Sequence, residues 1–371
     1  MIDAQTETIL IVCLTSVACA IPGVFIVLRG MSTLSNSVNY PVLFGMAAAL
    51  FFVQSAGSPV IVLMAGLLGA VVIMLTEKIL KTGIIKRDAA AAVAAYPFFF
   101  SIAVIFIFLF PLQTHTDIEA ALLGELAFAR FRRLEALGYD LGPVAFWQSG
   151  GLALVNIILA VIFYKELKLA VFDYGYAAAA GFTPKRVIYG VVLILSFTSA
   201  VSYEITGSVM TAGFIVGPAI IASYFTKDLW KLLFLSPLVG VISCLFGYNT
   251  AYLFDTSIAG TIVSVMGGFL LLSFWFAPDT GAIAKVLIKR RAKIELSVNL
   301  LLVHLWQHEI LGNAAEKNAA DAVSPYLNWN SDFTDTVVKQ CMDRQLLGLN
   351  TKGQFFLLPK GVLMARNVLA R

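Results

Sequence analysis

Residues 9–28 read ILIVCLTSVACAIPGVFIVL, a stretch of twenty residues without a charged side chain. An α-helix needs about 20 apolar residues to cross the hydrocarbon core of a bilayer. The stretch is not typical of a cleaved signal peptide, because Asp3 and Glu7 precede it where a signal peptide has a basic segment. It therefore predicts a transmembrane helix.

The same composition extends over most of the chain. Of its 371 residues, 59% are hydrophobic and only 13% are charged, whereas soluble domains carry about 25% charged residues. A water-soluble fold could not cover its surface with so few charges. Apolar runs predict about nine transmembrane helices, at residues 9–28, 41–54, 60–75, 89–110, 146–164, 187–201, 209–225, 232–253 and 258–276. The predicted fold class is an all-α polytopic membrane protein.

The distribution of Lys and Arg predicts the orientation in the membrane. Basic residues collect on the cytoplasmic side of short loops, and here they fall on alternate connections: Arg29; Lys78, Lys81, Lys86 and Arg87; Lys165, Lys168, Lys185 and Arg186; Lys227 and Lys231; and 285–293. This pattern places the N-terminus outside and the C-terminal tail in the cytoplasm. The exception is Arg130, Arg132 and Arg133, which lie in the long external segment 113–143.

Residues 297–371 differ in composition and predict a separate, soluble-like domain. Two helices are predicted at 299–311 and 332–345, followed by a turn, a hairpin and a last helix, similar to the close of a winged-helix domain. We therefore expect a transmembrane domain at 1–285, a basic juxtamembrane linker at 286–296 and a small cytoplasmic α+β winged-helix-like domain at 297–371.

Nucleic-acid binding is not favoured for this tail. Residues 297–371 hold seven basic and six acidic side chains, and the predicted recognition helix contains Asp332, Asp335 and Asp343. DNA-binding surfaces need a clear basic face. A docking or regulatory role fits better. His304 and His308, four residues apart, are weak candidates for sensing cytoplasmic metal, the alternative being an ordinary exposed helix face.

Enzyme signatures are missing from the sequence. It has no GxxxxGK followed by Ser or Thr, no HExxH and no nucleophile elbow. The four cysteines form no CxxC pair, so a zinc knuckle is not indicated. The chain is predicted to have no nucleotide site of its own.

Four segments together resemble a known family. They are 23–32 (GVFIVLRGMS), 165–182 (KELKLAVFDYGYAAAAGF), 207–222 (GSVMTAGFIVGPAIIA) and 252–260 (YLFDTSIAG). Their order and spacing, over roughly residues 10–285, are similar to the permease subunits of the zinc, manganese and iron ABC importers. The chain would then move a divalent metal ion across a bacterial plasma (inner) membrane, by alternating access and without a tightly bound cofactor.

The resemblance also implies partners. These are a cytoplasmic ABC ATPase dimer that hydrolyses ATP, a second permease subunit, either identical or paralogous, and an extracytoplasmic metal-binding protein. The segment with Phe172, Asp173, Ala177 and Gly181 would be a short helix that docks in a cleft of the ATPase, with Gly181 ending it.

One segment departs from the family pattern. Family members carry an Asp and a His four residues apart after the first span, where they share a helix face and can hold a metal together. Here Asn36 and Tyr40 stand at those positions, and an amide and a phenol are weaker ligands. A second permease could supply the Asp and His, which is the interpretation we favour. Alternatively, a hard ion is moved by oxygen ligands, or the subunit offers only a path. Glu204 is a third pathway candidate.

Two other functions compete with the importer. A membrane-tethered metal-responsive transcription regulator would need a basic recognition helix in the tail. A secondary transporter would need carboxylates buried at the membrane midplane, and no predicted span carries one at its middle.

Overall fold

The computed structural model describes residues 4–28, 40–49, 59–82, 88–109, 126, 132–136, 139–172, 174–278, 280–310, 327, 329–350 and 354–369. The chain divides into two compact units, Met1–Gly281 and Ala282–Arg371.

The first unit is built from helices and one short hairpin. Its described elements are α1 (Ala4–Leu28), α2 (Tyr40–Ala49), α3 (Pro59–Thr82), α4 (Asp88–Leu109), β1 (Arg133–Ala136), β2 (Tyr139–Pro143), α5 (Val144–Ile162), α6 (Tyr164–Phe172), α7 (Tyr174–Ala179), α8 (Pro184–Phe225), α9 (Leu229–Phe254) and α10 (Ile258–Phe276). Strands β1 and β2 pair antiparallel.

Within the described residues, five helices are long and apolar enough to cross a membrane: α1, α5, α8, α9 and α10. Shorter apolar helical stretches occupy Tyr40–Ala49, Val60–Leu75 and Pro97–Phe106. The prediction of a polytopic helical membrane protein is confirmed at this level, and the count of nine spans stays a prediction. Helix α1 is central, because it packs against α5, α8 and α9.

Helix α8 is interrupted at one residue. Gly207 has φ 76° and ψ 173°, which is not helical. Val187, near the start of α8, and Ala222, near its end, both belong to the cluster of packed side chains around Phe25. An unbroken helix would hold two residues 35 positions apart at about 50 Å. Helix α8 therefore folds back on itself at Gly207.

The fold-back gives α8 two legs, residues 184–206 and 208–225, that both lie along α1. Cys19 Sγ contacts Ser202 Oγ of the first leg at 3.1 Å, and Gly23, one turn further along α1, lies against the backbone of Ile215 in the second leg. The spans predicted at 187–201 and 209–225 correspond to these two legs.

Small residues set the distances between the helices. A methyl group at Gly23 would collide with the carbonyl oxygen of Ile215, one at Gly240 with Ser16, and one at Gly247 with Ile262. Without a hydrophobic driving force between helices in lipid, close packing of this kind is a main source of association.

The second unit begins with a helix and ends with a hairpin and a helix. Its described elements are α11 (Ala282–Ile310), α12 (Ser331–Asp343), β3 (Leu347–Leu349), β4 (Phe355–Leu357) and α13 (Pro359–Leu369), with β3 and β4 antiparallel. Its core is formed by α11, α12, the hairpin and α13, through Leu301, Leu305, Val337, Phe355 and Ala365 among others. Residues 286–296, predicted to be a linker, lie inside α11. The winged-helix assignment and the domain bounds stay predictions.

Candidate functional site

The predicted pathway residues are described only in part. Asn36 lies outside the described residues. Tyr40 is half-buried at the start of α2, where its ring stands edge-on to Phe100 with 5.3 Å between centroids. The described residues include no group of three or more His, Cys, Asp or Glu side chains placed to hold a metal ion.

Glu204 lies near the end of the first leg of α8 and forms an ion pair. Its Oε1 accepts a hydrogen bond from Arg132 Nη1 at 2.6 Å, and the two side chains are 26% and 49% exposed. The next residue, Arg133, donates from Nη2 to both carboxylate oxygens of Glu7 on α1, at 3.0 and 3.2 Å. The β1–β2 hairpin is thereby tied to α8 and α1. A metal ion reaching Glu204 would have to compete with Arg132.

Sequence reasoning did not identify this role for the two arginines. One signal was available in the sequence. The two arginines lie on a predicted external segment, whereas the other basic residues, apart from Arg130, fall on the predicted cytoplasmic side. The structure gives a physical reason for the exception, because each arginine neutralises a carboxylate on a neighbouring helix.

Buried hydroxyl, thiol and amide groups lie between α1, α5 and α8. We call this set of groups the polar seam. Cys19 lies against Ser202, and Asn156 Nδ2 donates to Ala18 O at 2.8 Å and Thr198 Oγ1 at 3.0 Å. Fully buried hydroxyls in or beside it belong to Thr15, Ser16, Ser196, Ser199, Thr206 and Thr211. The contacts of Cys19 with Ser202 and of Asn156 with Ala18 and Thr198 join the helices, in the way that polar residues commonly do in membranes. The hydroxyl and amide oxygens of the seam would suit hard ions better than zinc as ligands.

The predicted coupling segment forms α6, α7 and the turn that follows. Leu167 and Ala170 bury α6 against the unit, while Phe172 is 53% exposed. Asp173 lies outside the described residues. Ala177 is buried, and its carbonyl accepts a 3.0 Å hydrogen bond from Phe182 N–H.

Gly181 makes that hydrogen bond possible. Its φ of +84° is left-handed, and together with the bond from residue 182 to residue 177 it forms a Schellman cap that ends the segment. The segment thus presents two exposed aromatic side chains, Phe172 and Tyr176, which is 61% exposed, just before the alanine-rich turn at 177–181. An exposed aromatic pair beside a capped turn is suited to insertion into a cleft of another protein.

In the second unit, His304 and His308 lie side by side on α11 with 4.5 Å between ring centroids. His304 is buried and His308 is half-buried, so neither belongs to a fully exposed helix face. Two imidazoles at this distance could contribute two ligands to a metal ion, but a structural zinc site takes four.

Comparison with known proteins gives matches to transport proteins. The ABC 3 transport family matches residues 1–277. The zinc transport system membrane protein TroD of Treponema pallidum is 30% identical over 92% of this chain and 92% of its own length. The manganese transport system membrane protein MntD of Bacillus subtilis is 31% identical, over 74% of this chain and 92% of its own.

A solved structure agrees on the fold. The structure of PsaBC from Streptococcus pneumoniae in complex with Fab superposes with a TM-score of 0.62 at 22% identity, over 74% of this chain and 92% of that one. The family match ends at residue 277, close to the end of the first unit at Gly281. The match to TroD is long enough to extend into the second unit. With three quarters of its length matched, this chain belongs to the ABC 3 transport family.

Proposed function

We propose that the chain is the membrane-spanning permease subunit of an ATP-binding-cassette importer for divalent metal ions, with manganese, zinc or iron as cargo. The observation that carries the proposal is the family match over nearly the whole first unit, residues 1–277. Its relatives are named as zinc and manganese transport system membrane proteins, and iron rests on the resemblance of the sequence motifs. A transport family gives no support to the alternative of a membrane-tethered transcription regulator.

The importer would need partners. A cytoplasmic ATPase dimer would bind the coupling segment around Phe172 and Tyr176, and ATP would be hydrolysed there and not by this chain. An extracytoplasmic protein would deliver the ion, and a second permease subunit would form the other wall of the pathway. The exposed aromatic side chains and the helix cap at Gly181 support the first of these contacts.

In this proposal the chain contributes weak ligands to the pathway. Asn36 and Tyr40 offer an amide and a phenol, and the carboxylate of Glu204 is held by Arg132. We therefore favour a heteromeric pair, in which a paralogous permease supplies the stronger ligands. The second unit would lie in the cytoplasm as a winged-helix-like domain that docks on the ATPase side or senses metal through His304 and His308.

Metal uptake tests the proposal directly. Cells without their own importer would express this chain, its ATPase and its binding protein, with and without a second permease, and accumulated manganese, zinc and iron would be measured. Uptake that needs the second permease supports the heteromeric pathway. Robust uptake with this permease alone would show that its own ligands suffice, and no uptake in either case would overturn the importer proposal.

The coupling segment gives a matched pair of variants. Phe172→Ala should abolish most ATP-driven uptake while the protein still reaches the membrane. Phe234→Ala, which removes an equally large and 73% exposed aromatic side chain from α9, should leave uptake unchanged. Equal effects of the two variants would remove the support for docking at Phe172.

A further inference from the structure

A groove of about 330 Å³ opens on the first unit between α1, α5, α6 and α8. One end is marked by Phe163, Leu167 and Arg186, and the other by Asn156 and Ile194. At 1.5 Å per residue, the groove extends about 10 Å along α5 and about 12 Å along α8. This is close to the depth of one leaflet, since the hydrocarbon core is about 30 Å thick.

The walls of the groove are almost entirely apolar, and the polar groups stand at its two ends. Both hydrogens of the Asn156 amide are already donated, to Ala18 O and Thr198 Oγ1. The deep end therefore offers no free amide donor to a polar ligand. At the other end Arg186 is exposed, and no described carboxylate forms an ion pair with it.

This distribution of polarity matches one kind of molecule. A hydrocarbon chain fills an apolar groove that runs along the membrane normal, and a phosphate at the interface pairs with a guanidinium. Basic pockets between transmembrane helices on the cytoplasmic side are suited to anionic lipid headgroups. In the orientation predicted from Lys and Arg, Arg186 lies on that side, where Lys165, Lys168 and Lys185 add to the positive potential.

We propose that this groove binds one anionic phospholipid, with an acyl chain between α1, α5 and α8 and the headgroup phosphate at Arg186. The lipid would fill the space between the first leg of α8 and α5. It would thereby support the base of α8 next to the coupling segment, because Leu167 of α6 belongs to the same wall.

Gly190 allows the groove to be closed without disturbing the protein around it. It lines the groove, and a Cβ placed on it meets no heavy atom within 4 Å. A leucine at this position would occupy the space assigned to the acyl chain. Gly267 on α10 is also open within 4 Å and lies away from the groove, so Gly267→Leu is the matched control for added apolar bulk.

Native mass spectrometry of the purified full chain with its ATPase would count the bound lipids, with dioleoylphosphatidylglycerol and dioleoylphosphatidylcholine supplied in equal amounts. We expect one phosphatidylglycerol per chain to survive delipidation. Arg186→Gln should lower its retention about fivefold, as expected for one interfacial charge, and Gly190→Leu should abolish retention of that lipid. Gly267→Leu should match the unmodified chain, and Lys185→Gln, whose side chain does not line the groove, should lower retention less than Arg186→Gln does.

Three results would overturn the proposal. One is unchanged retention in Gly190→Leu, which would place the lipid elsewhere. Another is an equal loss in Arg186→Gln and Lys185→Gln, which would indicate a diffuse charge effect. The last is equal retention of the two lipids by the unmodified chain, which would show that the groove selects no headgroup. The Arg186→Gln variant keeps the test decisive if Gly190→Leu fails to fold.

Discussion

Arg132 and Glu204 lie 72 residues apart in the chain, and their side chains meet at 2.6 Å. Sequence reasoning singled out Glu204, because a carboxylate beside a membrane span is a functional candidate. It could not find the partner, since nothing local in the sequence says which helix the β1–β2 hairpin contacts. The pair is partly exposed, so its contribution to stability is small and its main effect is to position the hairpin and occupy the carboxylate.

Neutralising either member of this pair tests that assignment. Arg132→Gln and Glu204→Gln should each destabilise the protein by about 0.5–1 kcal/mol, and the double variant should be no less stable than the weaker single one, because both changes remove one interaction. Thermal unfolding in detergent measures this. Lys231→Gln, which breaks the more exposed pair with Asp228, is the control and should have no effect. Additive losses would show that the two side chains act independently.

Cys341 gives a second prediction for a single side chain. Burial in the core of the second unit raises the pKa of its thiol to about 11, from an ordinary value of 9.0. As the pH rises, the Cys341 thiol of the unfolded chain therefore loses its proton before the same thiol in the folded chain. The thiol's contribution to stability is complete below about pH 9 and is lost as the pH rises toward 11.

Alkylation followed by peptide mass spectrometry should show this protection. Iodoacetamide at pH 8 should modify Cys341 slowly in the native chain and rapidly in denaturant, because only the thiolate reacts. The second unit should also be less stable at pH 10 than at pH 8, and Cys341→Ala should weaken that pH dependence. Native and unfolded chains that react at equal rates would contradict the prediction.

Among the elements, the folded-back α8 determines how the first unit packs. Its two apolar runs were predicted from sequence, because hydropathy reports the length of a span. The point of reversal was not, since Gly207 is a single glycine among several in the same segment and only its backbone conformation sets it apart. With φ 76° and ψ 173° it occupies a region that is essentially restricted to glycine.

Replacing Gly207 should therefore strain the backbone, whereas the other glycines of α8 have helical backbone angles that alanine can adopt. Gly207→Ala should destabilise the protein by about 1–3 kcal/mol and lower the yield of folded protein. Gly190→Ala is the matched control, because its Cβ would meet open space and alanine favours a helix over glycine. The melting temperatures of the two variants in detergent measure the difference. Similar values would mean that the reversal does not depend on the conformation of residue 207.

At the scale of the whole molecule, the chain consists of two units with separate cores. The change in composition near residue 297 predicted a second domain, because soluble cores and membrane spans differ in their share of charged residues. Composition could not locate the division exactly, because the structure divides the chain at Gly281, before α11, whereas residue 297 lies inside that helix. The sequence also could not identify the ligands of the pathway, because Asn36 and Tyr40 stand where the family pattern has Asp and His.

The separate cores predict that the first unit is stable alone. The packed clusters of the first unit use residues from α1 to α10, and that of the second uses residues from 294 to 365. A chain ending at Gly281 should therefore insert into the membrane and keep the melting temperature of the full chain in detergent. A chain ending at Phe254 should not fold, because it loses Ala259, Ile262 and Met266 of α10 from the core. If the chain ending at Gly281 aggregates like the shorter one, the second unit is part of the folding unit, and its role is structural before it is regulatory.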